Sequence, residues 1–192
     1  MRISGGRARG IPLQVPPGLK VRPATDGLRQ AVFSSLGARV EGARFLDLFA
    51  GSGAYGLEAL SRGAVGGVFV ERDARTVACL RRNLAAVCRS LGRGEDGLSV
   101  LPVDALAGLP SSASGADLIF ADPPYEAAGS VAGALFARLG ELLPPGAAPL
   151  VLFELPGEAE IAPPGWTLVK RIGRGVRQPT MAIFGRSAIP PA

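Results

Sequence analysis

The sequence predicts an α/β fold built on a mostly parallel sheet. From residue 44 onward, short apolar runs alternate with segments whose apolar residues recur every three or four positions, as expected for strands alternating with helices. Acidic residues end successive predicted strands, and ligands of open α/β sheets bind outside the carboxyl ends of strands. The 192 residues suit one domain with a substantial core.

The amino-terminal region is predicted to be a small appendage followed by a helix. Residues 1–23 are rich in Gly, Pro and Arg with short alternating stretches, which indicates a β-hairpin or arm that cannot form a core alone. Thr25 or Asp26 is placed to cap the helix, and Gly37 to end it. The apolar face of this helix consists of Leu28, Val32 and Leu36.

The body of the chain is predicted to contain five strands, several helices and a final hairpin. The strands are expected at 45–49, 67–70, 98–103, 117–121 and 149–155. Two amphipathic helices are marked by Val77, Leu80, Leu84, Val87 and Leu91, and by Val131, Leu135, Leu139 and Leu142. The stretch 111–115 is expected to be a loop, and 166–172 with 180–185 a hairpin around a basic turn.

Charge is segregated along the chain, which carries a net charge of +5. Residues 1–44 carry +6, residues 45–170 carry −5 and residues 171–192 carry +4. This arrangement suits a polyanion that meets the two ends while the acidic middle holds a cationic ligand. The sequence has neither a secretory signal nor an apolar run near the ~20 residues that span a bilayer, so we expect a cytoplasmic protein.

Metal and disulfide chemistry are not expected. Cys79 and Cys88 fall in one predicted helix, about 180° apart around its axis, so they cannot bond to each other there. The sequence contains no histidine, which removes most routes to a zinc site.

The most informative motif is Asp122-Pro123-Pro124-Tyr125, directly after a predicted strand. Consecutive prolines cannot continue a sheet and hold φ near about −65°, so an acid, a carbonyl and a ring are presented in a fixed geometry. The Asp122 carboxylate and the Pro123 carbonyl can each accept one N–H of a planar amino group, which favours a pyramidal, nucleophilic nitrogen. Tyr125 can stack on a nucleobase. The structural alternative is a Pro-Pro turn at the edge of a core.

A second motif spans residues 45–56, where an apolar run enters a Gly-x-Gly-x-x-Gly loop that leads into a helix. Gly51 and Gly53 let the backbone approach a ligand closely. Glu71, after the next apolar run, can accept hydrogen bonds from both ribose hydroxyls of an adenosine. These features fit a nicotinamide dinucleotide as well as they fit S-adenosylmethionine.

Asp47 favours the methyl donor. Four residues ahead of Gly51, its negative charge would repel a pyrophosphate but attract the ammonium group of an aminoacyl sulfonium ligand. Its alternative role is to cap the following turn. Asp104 follows the third predicted strand and is placed to bind the adenine amino group, or alternatively to cap a helix that begins at Ala105.

With both motifs, the chain resembles the RsmD-type family of bacterial methyltransferases, which modify a guanine N2 in small-subunit ribosomal RNA. The resemblance covers nearly the whole length, through Ile3-Ser4-Gly5-Gly6 with Arg9-Gly10, residues 22–26 with Arg29, residues 47–62 and residues 122–125. Tyr55 departs from it, because the family usually has a smaller aliphatic residue there. The turn at 175–180 follows the family pattern only loosely.

The resemblance implies a Rossmann-like class I S-adenosylmethionine-dependent methyltransferase with seven strands, a reversed final hairpin and a small amino-terminal β-hairpin extension. It also implies an assembled or partly assembled ribosomal subunit as the substrate. We expect residues 1–24 to be an RNA-contacting arm, 25–187 the methyltransferase domain and 188–192 a disordered tail, in a monomeric protein.

The candidate site residues form three groups. The catalytic candidates are Asp122, Pro123, Pro124 and Tyr125. The candidates for binding S-adenosylmethionine are Thr25, Asp47, Ala50, Gly51, Ser52, Gly53, Glu71, Arg72, Asp104, Ala105 and Asp122. The candidates for RNA phosphates are Arg7, Arg9, Arg22, Arg29, Arg174 and Arg177.

Three other functions stay open at this point. The catalytic motif by itself fits other amino groups, such as adenine N6 in RNA or DNA. An NAD-dependent oxidoreductase would use the same glycine loop, but it gives no role to Asp47 or to residues 122–125. A non-enzymatic RNA-binding module would have kept the fold and lost the reaction.

Overall fold

The computed structural model describes residues 1–15, 26–109, 111–173 and 175–187. Its centre is a seven-stranded sheet in the order β3-β2-β1-β4-β5-β7-β6. The strands are β1 Arg44–Leu48, β2 Gly66–Val70, β3 Leu98–Leu101, β4 Leu118–Ala121, β5 Leu150–Pro156, β6 Trp166–Ile172 and β7 Pro179–Arg186. β7 runs antiparallel to both its neighbours, whereas the strands from β3 to β5 pair in parallel. The predicted fold class is confirmed.

Helices cover both faces of this sheet. They are α1 Asp26–Leu36, α2 Ala54–Ser61, α3 Ala74–Leu91 and α4 Ala128–Leu142. The first three share one apolar cluster and α4 packs in a second cluster on the other face. The predicted apolar faces of α3 and α4 are buried, except that Leu91 and Leu142 are half-buried at the helix ends. This 3.6-residue pattern therefore identified the core-facing sides correctly.

The segment after β3 differs from the expectation of a helix beginning at Ala105. Asp104 accepts a hydrogen bond from the Leu106 backbone N–H (2.8 Å), and the Ala107 N–H reaches the Asp104 carbonyl (3.0 Å). Those bonds close a turn, because a carboxylate that binds the backbone two residues on competes with helical geometry. The stretch Ser111–Gly115, expected to be a loop, is a short 3-10 helix.

Residues 1–15 form the hairpin-like start of the chain. An isolated antiparallel bridge joins Arg2 to Pro12, and the Ile3 N–H donates to the Ile11 carbonyl (3.0 Å). Ile3 and two further apolar residues of this arm are buried in the same cluster as α1 to α3. The arm thus completes one face of the core.

Polar contacts fix the arm to α2. The Ser4 backbone N–H and hydroxyl each donate to the buried Glu58 carboxylate (both 2.8 Å). The Ser61 hydroxyl donates to the Gly5 carbonyl (2.6 Å) and accepts from the Ala8 N–H (2.9 Å). The arm is therefore bonded to the helix that directly follows the glycine loop.

Several sequence-based expectations lie outside the described residues. These are the roles of Arg22, Thr25 and Arg174, the boundary at 24/25 and the tail 188–192. In the described part of the chain, no helix has both the length and the apolar character needed to cross a bilayer.

Candidate active site

The predicted catalytic loop lies at the carboxyl end of β4, beside the end of β1. The Asp122 backbone N–H donates to the Leu48 carbonyl (3.4 Å), which ties the loop to β1. Asp122 is half-buried, Pro123 is buried and Pro124 is exposed. Within the described residues, no donor bonds to the Asp122 carboxylate or to the Pro123 carbonyl. Two acceptors at one strand end are thus available to the amino group of a ligand.

The glycine loop joins β1 to α2, and its glycines have different roles. Both Gly51 and Gly53 have positive φ, 55° and 83°. A Cβ at Gly53 would collide with Leu80 of α3, whereas at Gly51 the nearest atom would be the Phe49 carbonyl oxygen, 3.9 Å away. Gly53 is therefore required by internal packing. Gly51 leaves its backbone open, and its N–H donates to Glu71 Oε2 (3.0 Å).

A hydrogen bond from α3 supports the rest of the loop. Phe49 has φ 57°, an uncommon conformation for a residue with a side chain and one that often marks functional loops. Ala50 and Ser52 are buried. The Asn83 amide donates to the Ser52 carbonyl and to the Gln14 carbonyl (both 2.9 Å), so one side chain of α3 supports both the loop and the arm.

Asp47 lies beneath the loop rather than on its surface. It is buried in β1, and its Oδ2 accepts a hydrogen bond from the Gly56 backbone N–H (2.9 Å) in the first turn of α2. Burial raises the pKa of Asp47 to about 8, and the nearby Glu71 charge adds to the shift. The capping role is the one visible in the structure. Attraction of a ligand's ammonium group stays a prediction.

Glu71 directly follows β2 and faces the glycine loop. Its two oxygens accept the Gly51 N–H (3.0 Å) and the Asp73 N–H (2.9 Å). Each carboxylate oxygen can accept a second hydrogen bond, so ribose hydroxyls can still be accommodated.

Asp104 and Arg72 form an exposed ion pair on the same rim (3.0 Å). The Leu106 N–H and then Arg72 hold the pKa of Asp104 below its usual range. Ala105 is buried against the core, so its methyl group packs inward. An adenine amino group would have to share Asp104 with Arg72.

Glu154 is a site residue that the sequence reasoning missed. It lies fully buried in β5 and accepts hydrogen bonds from the hydroxyls of Tyr55 (2.7 Å) and Tyr125 (2.9 Å). Burial raises the pKa of Glu154, against the lowering effect of both tyrosines and Arg29. The available signal was an acid within the apolar run that predicts β5, since such acids are buried only with partners.

Asp122 is affected by these buried acids. Burial raises the pKa of Asp122 well above its ordinary value, and the charges of Glu154 and then Asp47 raise it further. Asp122, at the carboxyl end of β4, is thus repelled by the ionised carboxyl groups of Asp47 in β1 and Glu154 in β5. A cation bound among them would relieve that repulsion.

The predicted phosphate contacts separate into two kinds. Arg7, Arg9 and Arg177 are exposed. Arg29 is fully buried, and its guanidinium donates to Asp26 at 2.7 Å and lies 3.9 Å from Glu58. Since Arg29 faces these acids inside the core, it cannot reach a phosphate in this conformation, which corrects the sequence-based expectation.

S-adenosylmethionine fits this donor set. The half-buried Gly51, which has no side chain in the way of a ligand, and the Glu71 carboxylate suit an adenosine, and the acids around Asp122 suit a ligand with a sulfonium and an ammonium group. In the described ranges, no group of three or more His, Cys, Asp or Glu side chains could hold a metal ion.

Comparison with known proteins agrees with this geometry. The sequence model of the family described as conserved hypothetical protein 95 matches residues 1–179. The ribosomal RNA small subunit methyltransferase D of Haemophilus influenzae is 32% identical over 181 residues, covering 92% of this chain and 90% of the relative. The Escherichia coli protein of the same name is 38% identical over 125 residues, 65% of this chain and 60% of the relative's length.

A solved structure extends the likeness to the whole chain. The putative methyltransferase yhhF from Escherichia coli superposes with a TM-score of 0.78 and 30% identity, over 98% of this chain and 99% of that one. The fold of this chain is therefore shared with that putative methyltransferase. The chain belongs to the RsmD-type family of S-adenosylmethionine-dependent methyltransferases.

Proposed function

We propose that the protein transfers a methyl group from S-adenosylmethionine to the exocyclic N2 of a guanine in small-subunit ribosomal RNA, within an assembled or partly assembled subunit. The observation that carries the proposal is the pair of available acceptors, the Asp122 carboxylate and the Pro123 carbonyl, next to the glycine loop. The names of the Escherichia coli and Haemophilus influenzae relatives support a small-subunit ribosomal RNA as the substrate.

The catalytic loop acts by holding one amino group. When bound, S-adenosylmethionine supplies a methyl group on a positively charged sulfur. Asp122 and Pro123 each accept one N–H of the guanine amino group, which withdraws its lone pair from the ring and directs it at the methyl carbon. Tyr125 stacks on the base after the base has left its helix. Such alignment can supply roughly 7–11 kcal/mol of the acceleration.

The buried acids also suit the departure of the amino proton, which leaves to water or to Asp122. Burial and neighbouring charges raise the pKa of Asp122, so its carboxylate is a stronger base than an exposed one. Methyl transfer moves the positive charge from the sulfur to the amino nitrogen, and the proton that then leaves this nitrogen for water or for Asp122 carries that charge away.

Arg7 and Arg9 in the arm, with Arg177 in the turn before β7, are the proposed contacts to RNA phosphates. Their exposure supports this role, as does the basic excess of the two ends of the chain. Such contacts position the RNA without reading its sequence. Arg22 and Arg174 stay in the proposal on sequence grounds alone.

The experiment is mass mapping of modified nucleosides in small-subunit RNA from a strain that lacks this protein. Complementation with the wild type should restore N2-methylguanine at one position. Asp122→Ala should restore none, although its affinity for S-adenosylmethionine in calorimetry should be nearly normal. Glu126→Ala is the matched control, because it removes an exposed acid four residues away. The proposal would be refuted if Asp122→Ala restored N2-methylguanine, or if the strain that lacks the protein had lost N6-methyladenine instead of N2-methylguanine.

A further inference from the structure

Both tyrosines of the chain meet at one buried carboxylate. Glu154 accepts the Tyr55 hydroxyl on Oε2 (2.7 Å) and the Tyr125 hydroxyl on Oε1 (2.9 Å). The two rings come from positions 99 and 29 residues away in the sequence. A carboxylate taken out of water is costly unless its oxygens are bonded, so this three-residue network is a built feature of the fold.

The network joins a rigid element to the catalytic loop. On one side, Tyr55 is buried in α2, and its ring stacks on Phe120 of β4, with ring centroids 5.4 Å apart and planes 11° apart. On the other side, Tyr125 is half-buried in the 3-10 turn that follows Pro124. Glu154 therefore links the sheet core to the tyrosine ring of the catalytic loop.

We infer that Glu154 is a positioning residue which, with Tyr55 as its second anchor, fixes the Tyr125 ring in the orientation needed to stack the target base. The inference rests on the proposed function, because it assigns Tyr125 to the base. This arrangement gives Tyr55 a structural role. Tyr55 stands where the resemblance to the family predicts a smaller aliphatic residue, and an aliphatic side chain would leave Glu154 Oε2 without the donor that Tyr55 provides.

The charge of Glu154 has a second effect in the same place. The groups that face it are Tyr55 from α2, Tyr125 and Asp122 from the catalytic loop, and Arg29 from α1. The two hydroxyls and Arg29 favour the ionised form of Glu154, and that charge then raises the pKa of Asp122. Removal of the charge should lower the pKa of Asp122, so the pH at which activity rises should also fall.

The first test needs no RNA. Tyrosine labelled with carbon-13 at Cζ gives one signal per ring in the free protein, and Tyr55→Phe and Tyr125→Phe assign the two signals. Glu154→Ala should move both signals towards the value of a solvated tyrosine, and Glu154→Gln, which keeps one acceptor oxygen, should move them less. An unchanged Tyr125 signal in folded Glu154→Ala protein overturns the inference.

The second test measures methylation of small subunits that lack the modification. Glu154→Ala should lower kcat by about 10- to 100-fold, the range expected for an ångström-scale misplacement, with affinity for S-adenosylmethionine retained. Glu154→Gln should keep more activity and shift the rising limb of the pH profile to lower pH. Glu160→Gln, an exposed acid in the same region, is the control.

The two tests separate the inference from the proposed substrate. Shifted tyrosine signals with no methylation of small subunits by the wild type would refute the substrate and leave the network intact. Methylation with a normal rate and an unshifted pH profile in both Glu154 variants would refute the positioning role.

Discussion

Asp47→Asn is expected to stabilise the free protein while it weakens binding of the cofactor. The Asp47 carboxyl is buried in β1, and its pKa is raised from 3.8 to about 8. In the unfolded chain the group ionises near its ordinary value. Between pH 3.8 and about 8, the Asp47 carboxyl is protonated in the folded protein and ionised in the unfolded chain, so unfolding releases a proton and rising pH favours the unfolded state.

The magnitude follows from the width of that interval. Each pH unit between the two pKa values costs about 1.4 kcal/mol of stability, so at pH 7 the wild type has lost up to roughly 4 kcal/mol. Asn can accept the Gly56 N–H through its oxygen, but its buried amide N–H groups need partners, which costs about 1–3 kcal/mol. The expected net gain at pH 7 is therefore about 1–3 kcal/mol.

Urea unfolding of the free protein from pH 4.5 to 9 is the assay. The advantage of the Asn variant should grow with pH up to about 8 and then stay constant, because above the folded pKa both states are ionised. Asp73→Asn is the control without pH dependence. Asp73 caps α3 through Thr76, and those hydrogen bonds lower the pKa of Asp73, so this carboxyl is ionised in both states over the whole assay range and the variant's loss of stability should not change with pH.

The same Asp47→Asn protein should bind S-adenosylmethionine more weakly in calorimetry above pH 8, where the Asp47 carboxyl is ionised and its charge can attract the ligand's cationic groups. An advantage in stability that does not change with pH would refute the assignment of a strongly raised pKa. Unchanged affinity would refute the role of Asp47 in attracting the donor, and would leave only its hydrogen bond to Gly56.

Four further substitutions test the supports of the site and the proposed RNA contacts. Gly53→Ala should lower the free energy of unfolding by about 1–3 kcal/mol, measured in urea, because the new Cβ meets Leu80 at positive φ. Glu58→Ala should cost about 3–5 kcal/mol and expose the arm to limited proteolysis, since it breaks a buried cluster. Arg7→Ala and Arg9→Ala should each flatten the log–log salt dependence of RNA affinity by about 1, and unaltered slopes would contradict the contacts.

The fold could be predicted because its signals are local. A strand expected at 149–155 is observed as Leu150–Pro156. The first strand of the final hairpin matches the expected 166–172, and the second, expected at 180–185, is one residue longer at each end. The acids near the carboxyl ends of strands were found for a topological reason, since parallel strands that alternate with helices bring these ends to one rim. Asp47, Glu71 and Asp122 accordingly lie close enough for their charges to interact.

The partners of individual side chains could not be predicted in the same way. Arg29 belongs to an amphipathic helix, where an arginine is ordinarily exposed, yet it is buried because Glu58 of α2 and Asp26 face it. In the sequence, Glu154 is one more residue of an apolar strand, whereas in the structure the Tyr55 hydroxyl, 99 residues earlier in the chain, donates a hydrogen bond to it. Pairings at such separations depend on how helices pack on the sheet, which periodicity does not encode.

Hydrogen bonds between residues far apart in the sequence also connect the proposed RNA contacts with the proposed cofactor site. The arm that carries the proposed RNA contacts is bonded to Asn83 through Gln14, and Asn83 bonds the Ser52 carbonyl in the glycine loop. The same arm bonds Glu58, which lies one helical turn after Tyr55 in α2. A short, basic arm with no core of its own is thus ordered by the elements that form the cofactor loop and anchor the tyrosine network. These shared supports connect the proposed RNA contacts of the arm to the glycine loop, so a variant that loosens the arm should also disturb that loop.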